Sequence, residues 1–140
     1  MRRAALLVLT CLLPACTVAV NTSSTSSIGR SFQGSWKGTG SQADQPGVTW
    51  TIALTLASGA RGSVVGTMTY PSLNCGGDLI LRQADGGRVE LLERITFGTC
   101  VDRGVVTLTP AQGGLRYDWL EAESGLTARG TLSRAQPPSP

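Results

Sequence analysis

The chain contains no histidine. That absence removes the commonest general base, the commonest pH switch and the commonest transition-metal ligand together. A Ser-His-Asp or Cys-His nucleophilic site cannot be assembled. Lys37 is the one lysine and there is no basic run, so nucleic-acid binding has no electrostatic footprint. A Gly-x-Ser-x-Gly elbow and a phosphate-cradling glycine loop are missing too. These absences point away from an enzyme, and no cofactor or metal is expected. Aromatics are few (three Trp, two Tyr and two Phe), enough to anchor one core. Charged residues make up 15% and hydrophobic ones 41% of the 140 residues, a balance that suits one globular domain rather than a disordered chain.

What is present begins with a leader. Met1-Arg2-Arg3 is a short positive region, and Ala4 to Leu13 is an apolar run too short to cross a bilayer as a helix. Leu13-Pro14-Ala15-Cys16 then resembles the lipobox of bacterial lipoprotein precursors. In that family the cysteine thiol receives a diacylglyceryl group and a peptidase cuts just before it. The resemblance implies a signal peptide over residues 1–15, lipidation of Cys16 and anchorage to the outer face of a membrane. Loss of Arg2 and Arg3 takes the formal net charge from +3 to about +1. Thr17, not an acidic residue, follows the cysteine, which resembles an outer-membrane sorting signal if the envelope has two membranes. Residues 16–30, rich in Ser and Thr and without apolar periodicity, read as a tether spanning about 20 Å. Residues 135–140 read as a disordered Pro-rich tail.

Four cysteines occur. Cys11 leaves with the signal and Cys16 carries lipid, so Cys75 and Cys100 remain as a disulfide pair in an oxidising compartment. Their bridge closes a loop of about 26 residues.

From Ser31 to Arg134 the dominant period is two, with turn residues at short intervals. Val48-Thr-Trp50-Thr-Ile52-Ala-Leu54-Thr-Leu56 is the clearest strand, apolar on one face and wet on the other. Eight strands are expected, near Gly34–Ser41, Val48–Ala57, Ser63–Tyr70, Asp78–Gln83, Arg88–Thr96, Gly104–Thr109, Leu115–Glu121 and Leu126–Ser133. Short gaps such as Asp85-Gly86-Gly87 hold turn chemistry. The fold class is therefore all-β: an antiparallel up-and-down barrel or sandwich of about eight strands with one disulfide. In such a meander alternate connections share an end, and Cys75 and Cys100 both fall at the same one.

The inward set includes Trp36, Val48, Trp50, Val64, Met68, Tyr70, Leu91, Ile95, Tyr117, Trp119 and Leu126. That many bulky side chains predicts a mostly filled interior, open at one end at most. Glu93 shares parity with Val89, Leu91 and Ile95, so a regular strand points it inward. There it needs a partner such as Tyr117, an indole N–H or Arg129. A bulge at Leu91-Leu92 is the alternative that turns it out. Phe97, beside the disulfide, is a candidate exposed anchor. Asp118, Glu121 and Glu123 are the nearest thing to a carboxylate cluster, and strand parity separates Asp118 from Glu121.

Further motifs run through the body: Phe32-Gln-Gly34-Ser-Trp36-Lys-Gly38, Gly66-Thr-Met-Thr-Tyr70-Pro71, Cys75-Gly-Gly-Asp-Leu79, Gly98-Thr-Cys100, Tyr117-Asp-Trp119 and Ala128-Arg-Gly-Thr-Leu132. From Phe32 to Arg134 the chain resembles a small extracytoplasmic domain found at the C-terminal end of some actinobacterial serine/threonine protein kinases, and alone on lipid anchors. The resemblance implies a sensor-like or binding module with no settled ligand and no catalytic residues. The expectation is thus a non-enzymatic binding or scaffold module of the bacterial envelope, its partner an unknown protein or small molecule. Two alternatives stand beside it: an inhibitor of an envelope-attacking hydrolase (a lysozyme or protease), and a carrier of a small apolar ligand.

Overall fold

The computed structural model describes residues 27–136; residues 1–15, Cys16, most of the tether and the last four residues lie outside that span. Wherever apolar and polar side chains alternate, the chain is a strand: β1 (Gly34–Gln42), β2 (Thr49–Leu56), β3 (Val64–Tyr70), β4 (Cys75–Asp85), β5 (Arg88–Phe97), β6 (Val105–Ala111), β7 (Gly114–Leu120) and β8 (Thr127–Arg134). Each pairs antiparallel with the next. β1 also pairs with β8, from Trp36 opposite Arg134 to Gln42 opposite Ala128, so the sheet closes into a barrel and is not a sandwich. Closure leaves no free edge. Among the described residues no helix is long and apolar enough to cross a membrane.

The two ends of the barrel differ. One receives the tight 86–87 and 112–113 turns and the 57–63 loop. It is covered by the segment before β1, whose Ile28 and Phe32 are buried. The packed structure therefore begins inside the stretch expected to be tether. Ile28, 2% exposed, is a single apolar residue among Ser and Thr, too little to register as a pattern. Gly34 has φ +111°, a backbone angle that suits glycine, where this cap turns into β1.

Trp36 and Arg134 hold the cap in place. The Trp36 indole N–H donates to the Phe32 carbonyl at 2.9 Å. The Arg134 guanidinium lies 4.2 Å over the Trp36 ring and donates to the carbonyls of Gln33 and Ser31. Arg134→Ala is expected to lower stability by about 1–2 kcal/mol, from the lost cation–π contact and two charge-assisted bonds. Arg134→Lys recovers little of it, because an ammonium lacks the planar fork. Urea unfolding of the two variants checks this; unchanged midpoints would show that Arg134 does not hold the cap.

Above the cap the interior is filled. Leu54, Leu56, Leu81, Val89, Leu91, Leu108, Leu115 and Leu132 are buried there, followed by Ile52, Met68, Leu79, Val106 and Tyr117. Two residues expected inside are about half exposed, Val48 and Val64. Val48 stands in the connection before β2. Val64 is displaced by a bulge: it pairs with Ile80 while Gly66 pairs with Leu79, which leaves Val65 unpaired and turned inward instead. Ile95 and Leu126 are only partly buried. β4 starts earlier than its alternation suggests because Gly76 and Gly77, opposite Phe97 and Ile95, carry no side chain to alternate.

Candidate functional site

The connections 43–48, 71–74, 98–104 and 121–126 gather at the opposite end. The disulfide joins Cys75, at the start of β4, to Cys100 in the 98–104 loop, with the Cα atoms 5.9 Å apart. These loops do not plug the barrel. A cavity of about 350 Å³ opens among them. Buried Tyr70, Glu93, Tyr117, Trp119 and Ala128 form its deep part, and exposed Val48, Leu73 and Val101 its mouth. Trp50, Leu126, Gln42, Gln45 and Thr99 complete the wall.

Glu93 is inside, 1% exposed. β5 runs regularly through Leu91 and Leu92, opposite Leu81 and Ile80, so no bulge turns the carboxylate out. Its backbone N–H donates to the Gly104 carbonyl at 2.8 Å. The Tyr70 hydroxyl donates to Glu93 Oε2 at 2.6 Å, and the Trp119 indole N–H reaches Oε1 at 3.4 Å. Tyr117 joins through Tyr70, with 2.9 Å between the two hydroxyls. When Glu93 is ionised, Tyr70 donates to the carboxylate and Tyr117 donates to Tyr70, which satisfies both phenols. Arg129, weighed above as a partner, is instead on the outer wall beside Asp118.

Burial raises the Glu93 pKa to about 7; the bonds from Tyr70 and Trp119 oppose the rise, and the nearby charge of Asp102 adds to it. Burial likewise pushes both phenols up; the charges of Tyr117 and Glu93 add to the effect on Tyr70, and the Glu93 charge adds to that on Tyr117 while its bond with Tyr70 opposes it. Glu93 is the one charged side chain among the described residues lining the cavity.

Two glycines that sequence reasoning passed over make room for the tryptophans. Gly40 pairs with Trp50 across β1 and β2, and a Cβ there would lie 2.9 Å from the indole nitrogen. At Gly104 a Cβ would lie 1.9 Å from the Trp119 indole nitrogen. Gly104→Ala therefore pushes the indole away from Glu93 and is expected to cost about 1–3 kcal/mol, the usual penalty for overpacking. A shifted tryptophan emission maximum together with a lower thermal midpoint checks it; a variant identical to wild type in both would contradict this packing.

The other candidates do not converge here. Phe97 is 51% exposed and does not line the cavity; its ring rests beside Gly76. Asp118 pairs with Arg116 at 2.7 Å and with Arg129 at 3.7 Å on the outer wall. Glu121 accepts from the Ser124 hydroxyl and from the backbone N–H groups of Glu123 and Ser124, which hold its carboxyl below the usual range. It organises the 121–126 loop. Among the described residues no group of three or more Cys, Asp or Glu side chains is placed to hold a metal ion.

Tyr70 as the direct partner of Glu93 was not legible, because β3 and β5 are separated by β4 and their side chains meet only across the lumen. The mouth residues Leu73 and Val101 sit in connections, where no period marks them. Searches of protein-family models, of curated proteins and of solved structures find no match to this chain.

Proposed function

We propose that the protein is a lipid-anchored, extracytoplasmic binding module that holds a small, largely apolar molecule in the open end of its barrel. The observation that carries this reading is the cavity of about 350 Å³, mostly apolar, with a few polar groups at its deep end. Small-molecule sites have that composition and begin at about that size. The lipobox residues Leu13-Pro14-Ala15-Cys16 supply the anchor in this reading, and the Cys75–Cys100 bridge suits an oxidising compartment. The lack of histidine, and a cavity carboxylate bonded by the Tyr70 phenol and the Trp119 indole with Tyr117 behind Tyr70, support a non-enzymatic role in this reading. The resemblance to the extracytoplasmic domain of kinases agrees with a binding role. The inhibitor alternative rests on fold-class analogy alone. The exposed Phe97 loop offers one side chain where the open end offers an enclosed site.

Two experiments test the proposal. Intact mass of the protein from native membranes should give a chain starting at Cys16 plus diacylglyceryl; an unlipidated mass would remove the anchor. The mature chain carrying Cys16→Ser should take up the neutral dye Nile red with enhanced, blue-shifted emission. Ala128→Trp, which fills the cavity, should abolish that uptake. A wild-type barrel that leaves the dye unchanged would overturn the binding reading.

A further inference from the structure

We infer that the cavity selects an apolar cation: a small molecule with an aromatic or aliphatic body and a protonated amine that pairs with the Glu93 carboxylate. The inference rests on the binding reading above and names its ligand class.

The charge balance of the cavity is the first argument. Among the described residues lining the space Glu93 is the one charged side chain, with no Lys or Arg to neutralise it. A buried carboxylate without a cation is held at a cost that phenol and indole donors only partly offset. A ligand ammonium supplies the missing charge in a site where the field is little screened.

Acceptor capacity is the second. An ionised carboxylate offers about four lone-pair directions. Tyr70 takes one at 2.6 Å, and Trp119 approaches another only at 3.4 Å. No third side-chain donor reaches the carboxylate among the described residues, and an ammonium has three N–H groups to give.

The walls are the third. Tyr70 and Trp119 donate to the carboxylate, Tyr117 stands behind Tyr70, and Trp50 lines the same cavity; aromatic faces attract a desolvated cation. Val48, Leu73 and Val101 at the mouth offer an apolar surface to the rest of the molecule. An anionic ligand meets the opposite: the Glu93 charge, no cation, and phenols already engaged.

Proton balance gives the inference its signature. The groups facing Glu93 are Tyr70 from β3, Tyr117 from β7 and Asp102 from the 98–104 loop. Burial keeps the phenols protonated through the neutral range. Glu93 changes charge near neutrality, and an amine binds its ionised form. A bound ammonium favours that form, so binding below neutrality releases a proton and affinity rises with pH.

Three probes of similar shape separate the possibilities: phenethylamine, phenethyl alcohol and phenylpropanoate. Each is titrated into the mature chain carrying Cys16→Ser, with tryptophan emission as the readout. At a pH of about 8 the amine should bind about tenfold tighter than the alcohol, and phenylpropanoate weakest. Between pH of about 8 and 6 the amine should lose about tenfold in affinity, following the ionised fraction of Glu93, while the alcohol changes little. Glu93→Gln should retain the alcohol and erase the preference for the amine. The pH series needs no variant, so the test survives a Gln substitution that fails to fold. Equal binding of amine and alcohol, with Nile red still taken up, would overturn the cation inference and leave the binding module standing. Tightest binding of phenylpropanoate would overturn it as well. Failure of every probe and of Nile red would sink both readings together.

Discussion

Glu93→Gln is expected to stabilise the barrel above neutrality and to have little effect in mild acid. The wild-type carboxyl is protonated in the folded state up to a pH of about 7, whereas in the unfolded chain it ionises near 4.5. Between these values the folded state holds the extra proton, so raising the pH removes stability. The stabilising contribution is complete below the unfolded value, is lost as pH rises toward the folded one, and stays absent beyond it. The interval corresponds to about 3 kcal/mol. Gln carries no charge at either extreme and escapes this loss. Its amide keeps an oxygen for Tyr70 but brings N–H groups that must find acceptors, which offsets the gain by about 1 kcal/mol. Urea unfolding of both proteins at pH of about 5 and 8 makes the comparison. The stability difference should open in favour of the variant as pH rises. A difference that stays constant with pH would mean that the side chain is not held in this low-dielectric site.

Removing the disulfide has an effect of similar size. Cys75→Ala with Cys100→Ala should cost about 3 kcal/mol, the chain-entropy value for a loop of this length. Cys75 is buried at the start of β4, and Cys100 ties down the loop that carries Thr99, Val101 and Gly104. The loss should therefore appear twice, as a lower urea midpoint and as weaker uptake of Nile red. Reduction of the wild type should reproduce both. A lower midpoint with undiminished uptake would show that the loop keeps its place over the cavity without the bridge.

Much of this architecture is written in residue types. Alternation from Trp50 to Leu56 reveals both the strand and its inner face, and the same period locates all eight strands. Because alternate connections share an end, the positions of Cys75 and Cys100 alone place both at one mouth. The Glu93 parity is legible for the same reason. What fails to register depends on distance or on silence. Closure of β1 on β8 joins residues about a hundred positions apart, a pairing that no local period encodes. Gly76 and Gly77 extend β4 without any alternation to announce it. The bulge at Val65 reverses one inward assignment, and the lone Ile28 hides in a polar stretch. The cavity itself is the least legible feature. Its polar deep wall joins Tyr70 on β3, Glu93 on β5 and Tyr117 on β7, strands that are not neighbours in the sheet, and its two tryptophans depend on the missing side chains of Gly40 and Gly104.

The three indoles provide a direct test of where a ligand sits. Trp50 and Trp119 line the cavity, whereas Trp36 lies at the capped end under Arg134. In a nitrogen-15 NMR titration with phenethyl alcohol, the indole N–H resonances of Trp50 and Trp119 should move while that of Trp36 stays fixed. The neutral probe reports the open end without invoking the Glu93 charge. Three unmoved resonances, or a Trp36 signal that shifts as far as the other two, would contradict the account of an open end built to hold a small molecule.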